Sequence, residues 1–494
     1  MPIADDEDVF ATVKAKRQAA ARARWQSRRD RFSQRVSRLS WYAVLAEAFL
    51  IALWPAGATV AMLLGFILLL VRFRVEHGFH FRRLPLDVPV VLFVVISGAS
   101  ILMSPDKGFS FYNWYNLVGA YVLTYLLIGQ TIRSPRDLRQ LLVALGLSCV
   151  LVVLYGFYQF VFGIDISAMK WVDGNAFPEL SKRVFSTWEN PNILAGYLDA
   201  ALCLSLGLLI KAGNRTQRIV LAVFMLALAA CLAMTYSRGA CLVLAAVFVL
   251  YGILRDWRVL AACIVVGGLI IVADPTLQHR LLSVFTTVDT STEMRMAFWE
   301  STVAMIQDHP LLGIGWGAYW MVYPEYDFYL QGAPIKIVHA HNLYLNYMAE
   351  IGIPGAMAFF WFFFGSLVQS LRAKFRAPQL PVAEPSPFDL GAEGVDGELR
   401  RVQDSLPKEQ PPTLSGWQAF CQWEDWRLGG GLALGIGLAI LSIALNGLTD
   451  DLLFNIPSSM LLWLLAALGG VLVLNQTGAG DDGRAEDDSH EGHK

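Results

Sequence analysis

Apolar residues in this chain come in long blocks, not at alternate positions. The first block, Trp41 to Val71, is broken only by Trp54-Pro55-Ala56-Gly57. One membrane crossing needs about 20 residues, so the block is long for one helix and short for two. Arg38 precedes it, and Arg72, Arg74, Arg82 and Arg83 follow it. Basic flanks on both sides predict a hairpin of two short helices that turns at Pro55. Further blocks predict helices at Asp87–Met103, Asn113–Ile132, Leu141–Phe162, Ile193–Ile210, Ile219–Thr235, Ala240–Leu254, Val259–Ala273, Leu343–Leu371, Gly430–Leu445 and Leu452–Leu474. The connections bearing Arg133/Arg136/Arg139, Lys211/Arg215/Arg218, Arg255/Arg258 and Arg372/Lys374/Arg376 all fall on one side of this alternation. The pattern predicts an all-α polytopic membrane protein of about twelve transmembrane helices, with both termini cytoplasmic.

The organisation follows from the same pattern. Residues 1–40 form a basic cytoplasmic extension, too polar for a signal peptide, and 41–273 hold the first nine spans. Residues 274–341 form a large external loop with a helical piece at Glu293–Asp308. The tenth span occupies 342–371, a cytoplasmic linker 372–429, the last two spans 430–474, and a polar tail 475–494. The linker's centre, Ala377–Gln418, is rich in Pro, Glu, Asp and Gly and reads as disordered.

Composition narrows the class. Of 494 residues, 55% are hydrophobic and 16% charged, which excludes a single soluble domain. A net charge of −2 gives no general pull toward nucleic acid, so the partner expected from composition is membrane lipid. The basic N-terminus suits an anionic lipid surface. Of six cysteines, five sit in apolar runs (Cys149, Cys203, Cys231, Cys241, Cys263), and none shows metal-ligand spacing.

Polar groups collect where the topology places the outer ends of the helices. Arg183 precedes Phe185-Ser-Thr-Trp-Glu-Asn-Pro-Asn192, and Arg238 sits in the helix break Thr235-Tyr-Ser-Arg-Gly-Ala240. Arg295 lies early in the external helical piece. His339 and His341 precede a long span, and Asp450 and Asp451 occupy the last external turn. Charge at a membrane rim marks a functional site by default. Plainer roles compete. Arg238 would serve as an interfacial anchor, and Arg183 and Arg295 as surface partners of Glu189, Glu293 or Glu300. His339 would be an exposed loop residue, Asp451 a helix cap, and Asn190-Pro-Asn192 a helix start. His341 is expected at the N-terminus of a span, where the helix dipole disfavours imidazolium and leaves a neutral general base. Arginines facing it would offer the permanent, bidentate donors that pyrophosphate requires. With no Asp-x-Asp cluster, neither a metal nor another cofactor is expected. On a continuous helix His339 and His341 would point about 200° apart, so only one would face the arginines.

Taken in order, these pieces resemble the O-antigen ligase superfamily, which includes O-antigen polymerases and protein O-oligosaccharyltransferases. The ligase pattern His-[Asn/Ser/Gln]-x9-Gly-x-x-Gly is met by His341-Asn342 and Gly352-Ile-Pro-Gly355, and an Arg-x3-Leu pattern by Arg238 and Leu242. Asn190-Pro-Asn192 with Leu194-Ala-Gly-Tyr-Leu198 is similar to the superfamily's span start. So is Arg295 with Trp299 and His309-Pro-Leu-Leu-Gly-Ile-Gly-Trp-Gly317. The resemblance implies inverting transfer of a glycan from undecaprenyl pyrophosphate to a hydroxyl acceptor, on the periplasmic face of the bacterial inner membrane. The acceptor is lipid A–core in a ligase and another carrier-linked repeat in a polymerase. His341 would be the base, and Arg238, Arg183 and Arg295 would hold the pyrophosphate. Asp450, His339 and Asn342 would bind acceptor or orient the base. A solute transporter is the competing class, but it places ionisable residues at mid-bilayer, where these spans read as almost free of charge. A scaffold for an envelope complex rests only on the linker and the basic N-terminus. The topology is testable by thiol labelling in a background without the native cysteines. An impermeant reagent applied outside should reach Gln331→Cys and miss Glu393→Cys, and the reverse pattern would invert the orientation.

Overall fold

The computed structural model describes residues 6–76, 78–163, 183–275, 277–278, 290–329, 337–376, 420 and 423–477. Most of the linker expected at 372–429, the tail past Thr477, and parts of the external loop (279–289 and 330–336) lie outside these residues. Every regular element among the described residues is helical.

Helix α1 (Asp6–Leu50) runs unbroken through the basic extension into the first apolar block. Pro55 then opens α2 (Pro55–Val75), where its missing N–H costs nothing. Seven helices follow: α3 (Asp87–Ser100), α4 (Lys107–Thr131), α5 (Pro135–Phe162), α6 (Pro191–Lys211), α7 (Arg215–Met234), α8 (Arg238–Leu254) and α9 (Trp257–Ala273). The helical piece expected in the 274–341 loop is α10 (Thr290–Asp308), and the C-terminal part holds α11 (Leu343–Arg372), α12 (Asp425–Asn446) and α13 (Ile456–Thr477). Seven of the described helices are long and apolar enough to cross a membrane, and three shorter apolar helices accompany them. The chain is a polytopic helical membrane protein.

Helix ends are set by local chemistry. Ser134 with Asp137 and Asn214 with Gln217 form reciprocal capping boxes at the starts of α5 and α7. Between spans, lipid tails are as apolar as leucine, so close backbone approach does the joining. Helices α6 and α12 meet through glycines: a Cβ on Gly207 would lie 2.3 Å from the Gly431 carbonyl oxygen. Trp463 on α13 is fully buried at the centre, its ring 4.2 Å from Phe362 and 5.8 Å from Phe93.

A second, smaller core gathers Phe298 and Met305 of α10 with Ile314, Tyr319, Tyr323 and Ala340. It is fastened to α11 at a break in that helix. Gly352 adopts a left-handed φ of 71°, and a Cβ there would lie 2.3 Å from the Leu311 carbonyl oxygen. Around the break, Ile314 N–H donates to Ala349 C=O (2.9 Å), Gly315 N–H to Glu350 C=O (3.0 Å) and Ile353 N–H to Pro310 C=O (2.8 Å). The two motif segments His309–Gly317 and Gly352–Gly355 are thus one structural joint.

The near absence of charge expected inside the spans does not hold, because Glu47, Asp199 and Glu350 are buried within helices. Each ties its helix to another segment. Glu47 accepts from the Thr124 hydroxyl at 2.6 Å, Asp199 from the Asn446 amide at 3.1 Å, and Glu350 from Gly317 N–H at 3.0 Å. Hydrogen-bonded fasteners of this kind are how an apolar bundle retains a polar group.

Glycine contacts give a direct test of the packing. Gly207→Val should destabilise the protein by about 1–3 kcal/mol through overpacking, read as a lower thermal midpoint in detergent. Gly146→Ala, where nothing lies within 4 Å, should leave the midpoint unchanged or raise it slightly. Equal midpoints for wild type and Gly207→Val would refute the α6–α12 contact.

Candidate active site

The site assembles around the turn that follows α12. Asn342 is the N-cap of α11, and its side-chain oxygen accepts from Tyr344 N–H and Leu345 N–H, both at 3.0 Å. Its amide nitrogen donates to the Leu448 carbonyl at 2.9 Å, while Leu343 N–H donates to the Gly447 carbonyl at 2.8 Å. The start of α11 is therefore sewn to residues 447–448. Every polar atom of the Asn342 side chain group that these bonds use is engaged in structure.

His341 lies just before that cap, not on the helix, with φ of 49°. This left-handed backbone removes the premise that would turn the two histidines apart. The His339 and His341 ring centroids are 4.1 Å apart, edge to face. His339 is not an exposed loop residue either. It packs against Phe454 (4.6 Å), and its Nδ1 is buried with no hydrogen-bond partner. Burial, then the neighbouring His341, push its pKa down to about 3, so it is neutral at physiological pH.

His341 Nδ1 is 3.2 Å from Asp450 Oδ1. Burial pushes the Asp450 carboxyl upward, but the His341 bond and the charges of His341, Arg295 and His339 outweigh it and bring the pKa down to about 2. Its neighbour Asp451 moves the other way, to about 7, through burial and then repulsion from Asp450. Asp451 also accepts from Leu453 N–H at 3.1 Å, so the capping role holds for a three-residue helical turn. Adjacent carboxyls with separated pKa values are suited to different tasks. An ionised Asp450 can only accept, so the hydrogen between it and His341 belongs to Nδ1. In neutral His341 the lone pair then sits on Nε2, the nitrogen that does not face Asp450. About a third of the His341 side chain is exposed.

Two of the arginines stand on helices, and Arg183 stands in the loop before α6. Arg295 on α10 lies close enough to Asp450 to stabilise its charge, and Phe298, one turn further, stacks on His341 at 5.9 Å. Arg183 donates to the Thr235 carbonyl at 2.8 Å and to the Asn192 side-chain oxygen at 2.7 Å, while Asn190 caps α6 through Asn192 N–H. Arg183 thus joins the start of α6 to the end of α7. Arg238 is the first residue of α8, and a Cβ on its neighbour Gly239 would lie 3.9 Å from the Thr449 hydroxyl, next to Asp450. Among the described residues, the non-glycine positions with positive φ are Ser186, Glu189, Tyr236 and His341. All four lie in the loops that carry these side chains, as strain at functional sites does.

Residues 221–360 match the family model described as O-antigen ligase. These residues, 140 of the chain's 494, are what is similar to that family. No curated protein matches the chain in sequence. The ligase segment runs from α7 into α11 and holds Arg238, Arg295, His339 and His341, whereas Arg183 and Asp450 lie outside it. Members of this family are enzymes that transfer glycosyl groups. The structure also engages groups that the sequence pattern did not single out. Glu350 receives the Gly317 amide, and Asp199 receives Asn446, which caps the turn's approach to Asp450. Their only sequence signal was a lone acid within an apolar run.

No metal-ligand spacing is visible in the sequence. The structure nevertheless brings donor atoms of His339, His341 and Asp450 within 4.8 Å of one another.

Replacing Asn342 tests the scaffold directly. Asn342→Ala loses a cap and leaves the Leu448 carbonyl without its donor, which together cost about 1–3 kcal/mol. Asn342→Asp keeps the capping oxygen but removes that donor, so its thermal midpoint should fall between those of wild type and alanine. Three equal midpoints would show that the cap and the turn are not coupled.

Proposed function

We propose that the protein is an O-antigen ligase-type glycosyltransferase of the bacterial inner membrane. It moves a glycan from undecaprenyl pyrophosphate to a hydroxyl of lipid A–core on the periplasmic face. The observation that carries this reading is the His341–Asp450 pair, with Arg295 close enough to Asp450 to bear on its charge. Asp450 holds the Nδ1 hydrogen, which leaves Nε2 free to take a proton.

In the reaction, an acceptor hydroxyl loses its proton to His341 Nε2 as its oxygen forms a bond to the anomeric carbon. The bond from that carbon to the pyrophosphate oxygen breaks, and the electron pair leaves with the pyrophosphate. A single displacement inverts the anomeric centre. Arg238, with Arg183 and Arg295, stabilises the charge that grows on the leaving group. The lipid carrier makes a rim location sensible: the tail stays in the bilayer while its headgroup reaches the polar surface. Against a transporter, Glu47, Asp199 and Glu350, the buried carboxyls named above within the described helices, each bond to a neighbouring segment, which gives them a structural role.

The decisive experiment is reconstitution with a carrier-linked glycan and lipid A–core, with products weighed by mass spectrometry. His341→Ala should lower the rate by about 10²–10⁴ while the protein remains folded. Arg238→Lys should keep the charge yet lose most of the activity, because lysine lacks the bidentate fork. A fully active His341→Ala would remove the base, and a fully active Arg238→Lys would make that residue a membrane anchor.

A further inference from the structure

We propose that His339, His341 and Asp450 form a binding site for a divalent transition metal of the zinc class, and that its occupancy opposes glycan transfer. Two imidazoles and a carboxylate, with donor atoms within 4.8 Å of one another, are a three-protein-ligand set that leaves a fourth position open. The partly exposed His341 lies on the open side. The second observation is the His339 Nδ1, buried and unpartnered beside this group, where an orphaned imidazole nitrogen calls for an explanation. Both rings are held: His341 by its left-handed φ of 49° and the α11 cap after it, and His339 by packing on Phe454 at 4.6 Å.

Ligand type sets the class. Imidazole favours zinc, copper, nickel and cobalt over magnesium or calcium, which take oxygen shells. The surrounding charges bear on affinity in opposite senses. Asp450 attracts a cation, Arg295 opposes it, and Asp451 adds charge only in its deprotonated form.

Antagonism to transfer rests on the proposed function above. A metal between His341 and Asp450 takes the Nδ1 lone pair and the place of its hydrogen. The imidazole hydrogen then resides on Nε2, so no lone pair remains to accept the acceptor's proton. Ring and carboxylate keep their positions, and the base is lost through a change of tautomer.

The test uses the full-length protein, purified by a tag without histidine. Cobalt(II) is titrated by visible absorption, and zinc by X-ray absorption at its edge. Wild type should bind one cobalt with a ligand-field spectrum, and zinc in a shell of two imidazoles and a carboxylate oxygen. His339→Phe and Asp450→Asn should each weaken cobalt by about tenfold or more. Binding that remains in both variants at wild-type strength, or a zinc shell without two imidazoles, would overturn the site. The shell measurement needs no variant, so it stands even where a substitution impairs folding. In the transfer assay, zinc should inhibit with a midpoint that follows its binding curve, and EDTA should restore the rate. Unchanged transfer at saturating zinc would overturn the antagonism. Absence of any transfer by metal-free wild type would instead refute the enzyme reading, with the binding results unaffected.

Discussion

The short turn from Gly447 to Asp451 is the constraint on which the rest of the site depends. Its carbonyls at Gly447 and Leu448 receive the first amide of α11 and the side chain of its cap. Its Thr449 faces the start of α8, and its Asp450 meets His341, just ahead of the α11 cap, and the field of Arg295 on α10. One five-residue segment therefore meets the starts of both α8 and α11. Helix N-termini are also where free backbone N–H groups and the positive end of the dipole favour an anion. The same geometry that fastens the bundle is what the proposed phosphate-bearing donor would meet.

Membrane packing explains how a small turn can have this reach. The bundle has little hydrophobic force between its helices, so position is fixed by close glycine contacts and by hydrogen bonds. The α6–α12 glycine seam brings α12 to a defined depth, and Asn446 at its end is held by Asp199 of α6. From there the turn begins. On the other flank, the broken helix at Gly352 locks the α10 core onto α11, which places Phe298 against His341. Contacts far from the site thus act on it through rigid segments and not through long loops.

The helices were legible because a span is a local property: about 20 apolar residues announce it wherever they fall. The hairpin at Pro55 and the break between Thr235 and Ala240 were legible for the same reason, since proline and Ser-Arg-Gly act within their own turns. The site was legible only as an inventory. Arg183, Arg238, Arg295, His341 and Asp450 were recognisable from side-chain chemistry, but their distances were not, since His341 and Asp450 lie 109 positions apart. The relation between the two histidines was misread because helical geometry was extended past the cap at Asn342, where φ of His341 reverses sign. A metal-ligand set escaped for a related reason. Sequence spacing finds ligands on one segment, and here the third donor arrives from another helix pair. The buried acids Glu47, Asp199 and Glu350 were hidden by the apolar runs around them, which also hid the groups that satisfy them.

The left-handed residues around the rim have a consequence of their own. Ser186, Glu189, Tyr236 and His341 each hold a backbone conformation that side-chain-bearing residues disfavour by about 1–3 kcal/mol when strained. That energy is supplied by the neighbouring bonds and not by the apolar core. Warming therefore spends its first effect on the mouth of the protein, where relaxed loops are within easy reach. The α6–α12 seam and the Trp463 cluster have no such alternative and stay joined to higher temperature. Loss of the loop geometry and loss of helicity are therefore expected as two separate thermal events, the first leaving the bundle in place.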